Sequence, residues 1–295
     1  MSEGGVTNTR EPDVRRTDLG GTNPRRPTIG VFDSGVGGLT VLRALVHHIP
    51  DADYLYFGDT ARLPYGSKSA ATVAHYAVGA IHHLQERGAE LLVIACNTAT
   101  ALAFDEIRAA SQVEVIGVVE PGANAASSAS RSRRVVVIGT DATISSHAYR
   151  RALEARNVAV KEKACPLFVP LVEEGWIDHP VTEQVARIYL DEAFSADACD
   201  ADVLVLGCTH YPLLKPLLRR IAPSHVTIVD SAESTAHDVA RQLQVHPLPA
   251  SPKTERRSTA RLKFFATDSA EKFKKMGTRF LGLRVEDVQH VDLKE

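Results

Sequence analysis

Thr28-Ile29-Gly30-Val31-Phe32-Asp33-Ser34-Gly35-Val36-Gly37-Gly38-Leu39 is an apolar run, an acid, a glycine-rich turn and the start of an amphipathic segment. The run Thr28–Phe32 is predicted as a buried strand, and a helix is predicted from Leu39. The same order recurs along the chain. Further strands are predicted at Tyr54–Phe57, Leu91–Ala95, Val115–Val119, Arg134–Ile138, Val203–Leu206, Val226–Val229 and Leu262–Ala266, with a weaker one at Ala164–Phe168. Pro121 and Gly122 are read as stopping the strand at Val119. Helices are predicted from about Ser69 to a C-terminal cap at Gly88 and over Ala99–Ala110. Others follow from Ser145, over Thr182–Phe194, after Cys208 with Pro212 in the first turn, over Ser234–Leu243 and over Ala270–Leu281. Strands alternating with helices imply the α/β class, with mostly parallel sheets flanked by helices. In such sheets the chemistry sits at the carboxyl ends of the strands.

The glycine-rich turn lacks the G-x-G-x-x-G spacing, and no GK[ST] follows it, so dinucleotide and P-loop readings are disfavoured. Its remaining readings are a tight strand-to-helix turn or a nest of backbone N–H groups for a small carboxylate.

Composition narrows the class. The chain has 295 residues, 34 basic against 36 acidic, a net charge of -2 and 44% hydrophobic residues. That balance gives no global pull toward nucleic acid or an anionic membrane. Residues 1–27 carry glycines, prolines and mixed charge with no apolar run, and read as a disordered tail without a secretory signal. Apolar stretches such as Leu91–Cys96 fall far short of the roughly 20 residues that span a bilayer. Residues 247–260 read as a polar loop. Four cysteines are too few for a disulfide scaffold and point to a reducing cytoplasm.

Two cysteines occupy matching places. Leu92-Val93-Ile94-Ala95-Cys96-Asn97-Thr98 and Leu204-Val205-Leu206-Gly207-Cys208-Thr209-His210 each end an apolar strand in a thiol, small polar residues and a helix. A helix N-terminus beside a thiol favours the thiolate, so both pKa values are expected to be depressed. The 112-residue separation suggests two similar lobes, each presenting one thiol to a shared cleft. Two opposed thiols can invert a carbon centre, one removing a proton and the other supplying one to the opposite face. An α-proton is weakly acidic, so such a site also needs groups that set thiol protonation and stabilise carbanion charge. Asp33 is a candidate on the Cys96 side and His210 on the Cys208 side. Cys165, before a proline, and Cys199, in an Asp/Ala-rich turn, read as structural. No C-x-x-C or H-x-x-x-H spacing occurs, so no metal site is expected.

Several motifs together resemble the glutamate racemases. They are Ile29–Val41, Phe57-Gly58-Asp59-Thr60-Ala61-Arg62-Leu63-Pro64-Tyr65-Gly66, the Cys96 segment, Val119-Glu120-Pro121-Gly122-Ala123 and Val205–Leu214. The resemblance runs from about Thr28 to Leu283. Aspartate racemases share the two-cysteine plan but match these motifs less well. The resemblance implies cofactor-independent interconversion of L- and D-glutamate, supplying peptidoglycan synthesis. It assigns Cys96 to the proton of D-glutamate and Cys208 to that of L-glutamate, with His210 and Glu173 assisting Cys208. Asp33 and Ser34 would lie beside the substrate amino group and Cys96. Tyr65 and Gly66 would line the pocket, Asn97, Thr98 and Thr209 would bind the amino acid, and Thr143 would hold a carboxylate. From the residues alone, Thr143 also reads as a helix cap and Glu173 as a solvated loop charge.

The resemblance further implies two α/β lobes with the site between them, here 28–122 plus 233–295 against 123–232. A homodimer is implied, as is a possible cell-wall precursor effector acting with an extended N-terminus. The alternatives are an aspartate or broad-range racemase and, in another class, a protein that binds and inhibits DNA gyrase.

Overall fold

The computed structural model describes Met1 and residues 26–195, 198, 200–244 and 260–293. The rest of the expected tail, Cys199 and the loop at 247–259 lie outside the described residues. The chain opens with β1 (Thr28–Asp33), α1 (Leu39–His48), β2 (Asp53–Gly58), α2 (Ala70–Glu86), β3 (Leu91–Ile94), α3 (Asn97–Ala110), β4 (Glu114–Gly117) and α4 (Val119–Ala129). It continues with β5 (Arg134–Gly139), α5 (Asp141–Ser145), α6 (Ala148–Glu154), β6 (Ala159–Ala164), α7 (Phe168–Glu173), α8 (Pro180–Ala193) and β7 (Val203–Gly207). It ends with α9 (Lys215–Ile221), β8 (Thr227–Asp230), α10 (Ser231–Gln242), β9 (Leu262–Ala266), α11 (Ala270–Leu281) and β10 (Val288–His290).

Two sheets result, of order β10-β9-β2-β1-β3-β4 and β6-β5-β7-β8. Every strand pair is parallel. Helices cover both faces, which explains the unbroken apolar runs of the central strands: Val135 to Ile138 of β5 and all of β7 are buried. The edge strand β6 is only half-buried and carries Lys161, Glu162 and Lys163. One core is shared between the sheets, joining Val31, Leu42 and Phe280 to Leu206, Leu217 and Tyr211. Phe32, Ile81 and Leu92 fill the outer face of the first sheet, and Val137, Leu153 and Val205 that of the second. Among the described residues, no helix is long and apolar enough to cross a membrane.

The elements depart from expectation at prolines. Helix α4 occupies the segment where Pro121 and Gly122 were read as a stop. Pro121 is the third helical residue, where its missing N–H has no intrahelical acceptor to lose. Pro170 sits likewise in α7, and the weak strand at 164–168 is instead the end of β6 and the approach to this helix. The segment after Cys208 is a short 3-10 turn, Tyr211–Leu214, before α9 begins. The helix expected from Ser145 begins instead at Ala148 as α6, and neither the short α5 that ends at Ser145 nor strand β10 was foreseen. Gly88 follows the end of α2 with φ +92°, the left-handed conformation that a helix stop requires, and Ala89 N–H returns to Leu84 O.

Candidate active site

In each sheet the order of strand addition switches sides next to the first strand. In the first, β1 is followed by β2 on one side while β3 lies on the other; in the second, β5 is flanked by β6 and β7 in the same way. Crevices open at such points, beyond the carboxyl ends of the strands. Asp33 and Cys96 lie at the first switch, and Thr140 and Cys208 at the second. The two crevices share one cavity of about 290 Å³, lined by both thiols. Ser34, Tyr65, Gly66, Asn97, Thr98, Thr209 and His210 also line it.

Cys96 caps α3. Its Sγ accepts the Ala99 N–H at 3.4 Å and lies 3.5 Å from Ser34 Oγ. Burial and the neighbouring Asp33 carboxyl push this thiol up to about 12, although hydrogen bonds from Ser34 and Ala99 act the other way. The expected depression is therefore overturned at Cys96: desolvation outweighs the helix end. Cys208 is not at an α-helix N-terminus, since the 3-10 turn intervenes.

Instead, Cys208 is served by a histidine. His210 Nδ1 is 3.9 Å from Cys208 Sγ, and its Nε2 is 3.1 Å from Glu173 Oε1. Burial alone would pull the imidazole down; its contacts with Cys208 and Glu173 prevail and raise it to about 10. Burial likewise opposes ionisation of Glu173, but His210 and Lys272 hold the carboxylate below its ordinary range. Phe280 meets the His210 ring edge-on at 5.1 Å between centroids.

The glycine-rich turn is not a nest for an outside carboxylate. Asp33 Oδ1 takes the Gly35 N–H at 2.8 Å, filling it from within. Asp33 Oδ2 accepts from Thr209 Oγ1 at 3.5 Å, so this carboxylate joins the turns of both sheets. Burial raises the Asp33 carboxyl above its ordinary value despite these donors and the nearby His210. Asp33 does not line the cavity; Ser34 is the residue in contact with Cys96. Thr40 Oγ1 donates to Thr209 O at 3.0 Å, and a Cβ on Gly37 would stand 2.2 Å from Thr209 Oγ1 and 2.5 Å from His210 Nδ1. Only glycine at 37 permits this approach.

Across the cleft, hydroxyls converge. Thr98 Oγ1 is 3.0 Å from Thr140 Oγ1 and 3.4 Å from Thr143 Oγ1, and the last two are 2.9 Å apart. Thr143 and Glu173 stand behind the cavity wall. Asn97 Oδ1 accepts from Tyr149 OH at 2.7 Å, and its Nδ2 donates to Ser231 Oγ at 3.4 Å. Tyr65 OH donates to the buried Asp59 at 2.7 Å, which also accepts from Thr267 Oγ1 at 2.7 Å and Arg62 Nη1 at 3.0 Å. Sequence reasoning missed Thr140, Asp59 and Tyr149. Thr140 carries a usable signal, a hydroxyl just past a strand and capping α5. Cys165 is buried away from the cavity, and its carbonyl accepts Tyr211 OH at 2.8 Å.

A sequence model of the Asp/Glu/Hydantoin racemase family matches residues 29–239. A glutamate racemase from Koribacter versatilis is 58% identical over 287 residues, covering 91% of this chain and 98% of its own. The solved structure of a glutamate racemase isoform from Bacillus anthracis superposes with a TM-score of 0.82 at 35% identity, covering 90% of this chain and 98% of that one. A Francisella tularensis glutamate racemase solved with D-glutamate gives 0.78 at 34% identity, covering 91% and 98%. With two facing parallel sheets, a shared cleft and likeness over nearly its whole length to these proteins, the chain belongs to the Asp/Glu/Hydantoin racemase family, among its glutamate racemases.

Proposed function

We propose that the protein interconverts L- and D-glutamate by a two-base mechanism needing no cofactor, with Cys96 and Cys208 as the bases. The observation that carries this reading is the meeting of both thiols in one small cavity, each from a different sheet. In one direction a thiolate at Cys96 takes the α-proton of D-glutamate, and the C–H electron pair passes into the α-carboxylate. The Cys208 thiol then gives its proton to the opposite face, leaving L-glutamate, Cys96 protonated and Cys208 as thiolate. The reverse reaction starts from that state.

A Cys96 thiol held at about 12 is a poor base until a positive charge approaches. The substrate ammonium group, placed beside Ser34 and Cys96 with the Asp33 carboxyl behind them, supplies that charge and lowers the cost of the thiolate. On the other side, the cationic His210 performs the same service for Cys208, and Glu173 keeps His210 charged. Thr98 and Thr140 offer hydroxyl donors for a carboxylate, with Thr143 fully buried behind them and bonded to both, and with Asn97 and Thr209 beside the thiols. Residues 28–122 plus 233–295 and residues 123–232 act as the two jaws. The D-glutamate so made serves peptidoglycan synthesis in the cytoplasm.

Incubation of the purified chain with glutamate in deuterium oxide, without pyridoxal phosphate, tests this reading. Deuterium at Cα accompanying loss of optical activity is expected. Faster exchange with aspartate would assign the site to an aspartate or broad-range racemase, and no exchange with either would remove the proposal.

A further inference from the structure

Helices α1 and α10 pack against each other, and their contact holds a side-chain cluster that racemisation does not use. His48, the last residue of α1, is fully buried, and its Nε2 is 2.8 Å from Glu233 Oε2. Glu233 and His237 are four residues apart on α10, so one helix face presents both. The rings of His48 and His237 lie 4.4 Å apart between centroids. One donor atom from each of the three residues lies within 4.8 Å of the other two. Sequence spacing hides this group, because His48 precedes Glu233 by 185 residues.

We propose that His48, Glu233 and His237 bind a divalent cation of borderline softness, such as zinc, cobalt or nickel, clamping α1 to α10. Two imidazole nitrogens and one carboxylate oxygen are a donor set these ions favour, with water completing the coordination. Metal–ligand bonds near 2.0–2.2 Å in a tetrahedron put ligand atoms about 3.3–3.6 Å apart. The 2.8 Å contact and the 4.8 Å outer limit bracket that spacing. His48 is fixed by burial, whereas Glu233 and His237 are exposed and free to close on an ion entering from solvent. His48 Nδ1 has no hydrogen-bond partner. The acceptor that usually orients and strengthens a ligating histidine is therefore missing, and micromolar rather than nanomolar affinity is expected.

Titration of the untagged, chelator-stripped full chain with Zn²⁺ and Co²⁺ tests the site. One equivalent should bind, and the Co²⁺ spectrum should show nitrogen and oxygen ligation without a thiolate charge-transfer band. Glu233→Gln and His237→Ala should each weaken binding more than about tenfold, while His47→Ala should not. Zn²⁺ should raise the melting temperature of the wild type and leave both variants unmoved. Their racemase activity should be unchanged, since neither residue lines the cavity. Absence of binding up to millimolar metal, undiminished binding in either variant, or a thiolate band would each overturn the proposal.

Discussion

His210 holds Glu173 with one ring nitrogen, at 3.1 Å, and faces Cys208 with the other, at 3.9 Å. The imidazole thereby keeps its charge inside the protein, with a pKa raised to about 10. An unfolded histidine titrates near 6.5. The stability this charge contributes is fully present below about 6.5 and is lost as pH rises through about 10. The urea midpoint of the wild type should therefore fall from neutral to pH 10. In Glu173→Gln the histidine loses its anionic partner, so the fall should begin at lower pH. Identical pH profiles for the two proteins would show that Glu173 does not hold the charge.

Cys96 should be slow to alkylate in the ligand-free protein. With the thiol pushed up to about 12, roughly one molecule in 10⁴ carries the thiolate at pH 8. Iodoacetamide labelling of Cys96, followed by peptide mass spectrometry, should accelerate steadily with pH and show no plateau below pH 10. A plateau near neutrality would mean that the α3 N-terminus wins over burial after all.

Removing either thiol should abolish the reaction in both directions. Cys96→Ala and Cys208→Ala should each lower the racemisation rate by at least 10²–10⁴-fold, roughly the worth of one acid or base. Optical rotation or a D-glutamate-specific coupled assay reads this directly. Near-normal turnover by either variant would exclude the two-base mechanism.

Gly37→Ala should harm both fold and chemistry. The added methyl meets Thr209 Oγ1 and His210 Nδ1 at distances no real contact tolerates, so these side chains must move. A loss of about 1–3 kcal/mol is expected from urea unfolding, together with a fall in kcat as His210 leaves Cys208. Wild-type stability and kcat would show that the two turns pack less tightly than described.

Asp59→Asn probes the wall behind Tyr65. The carboxylate accepts three hydrogen bonds while fully buried, one from the Arg62 guanidinium. Removing its charge leaves the partly exposed Arg62 without its anion, and with the hydrogen-bond changes should cost about 1–3 kcal/mol. Tyr65 lines the cavity, so KM for glutamate should rise as well. An unchanged KM would separate this network from substrate binding.

Much of this molecule is legible from local pattern. Apolar runs ending at Asp33, Cys96 and Cys208 announce strands whose carboxyl ends carry reactive groups, because a strand buried on both faces has no polar alternation to blur it. The helix over 119–129 is not legible, because Pro121 looks like a break until its place in the first turn is known. Thr140, Asp59 and Tyr149 were missed because their partners lie far along the chain: Thr98 from Thr140, Thr267 from Asp59 and Asn97 from Tyr149. The place of both thiols in one cavity was legible, but the direction of the Cys96 shift was not. A helix N-terminus can be read from spacing, but the water excluded from Cys96 is a property of the assembled core.

The contact of Thr40 with Thr209, seated over the bare backbone of Gly37, sets a dimension of the catalyst. One side of this contact runs through the turn to Ser34 and Cys96, and the other continues directly into Cys208. The gap between the sulfurs is thus gauged by a bolt at the floor of the cleft, like the fixed jaw setting of a caliper. On the two-thiol reading proposed above, the lining at Thr98 and Thr140 can be reshaped for a longer or shorter side chain while the span between the sulfurs is kept. Selectivity and proton transfer can then be tuned apart from each other.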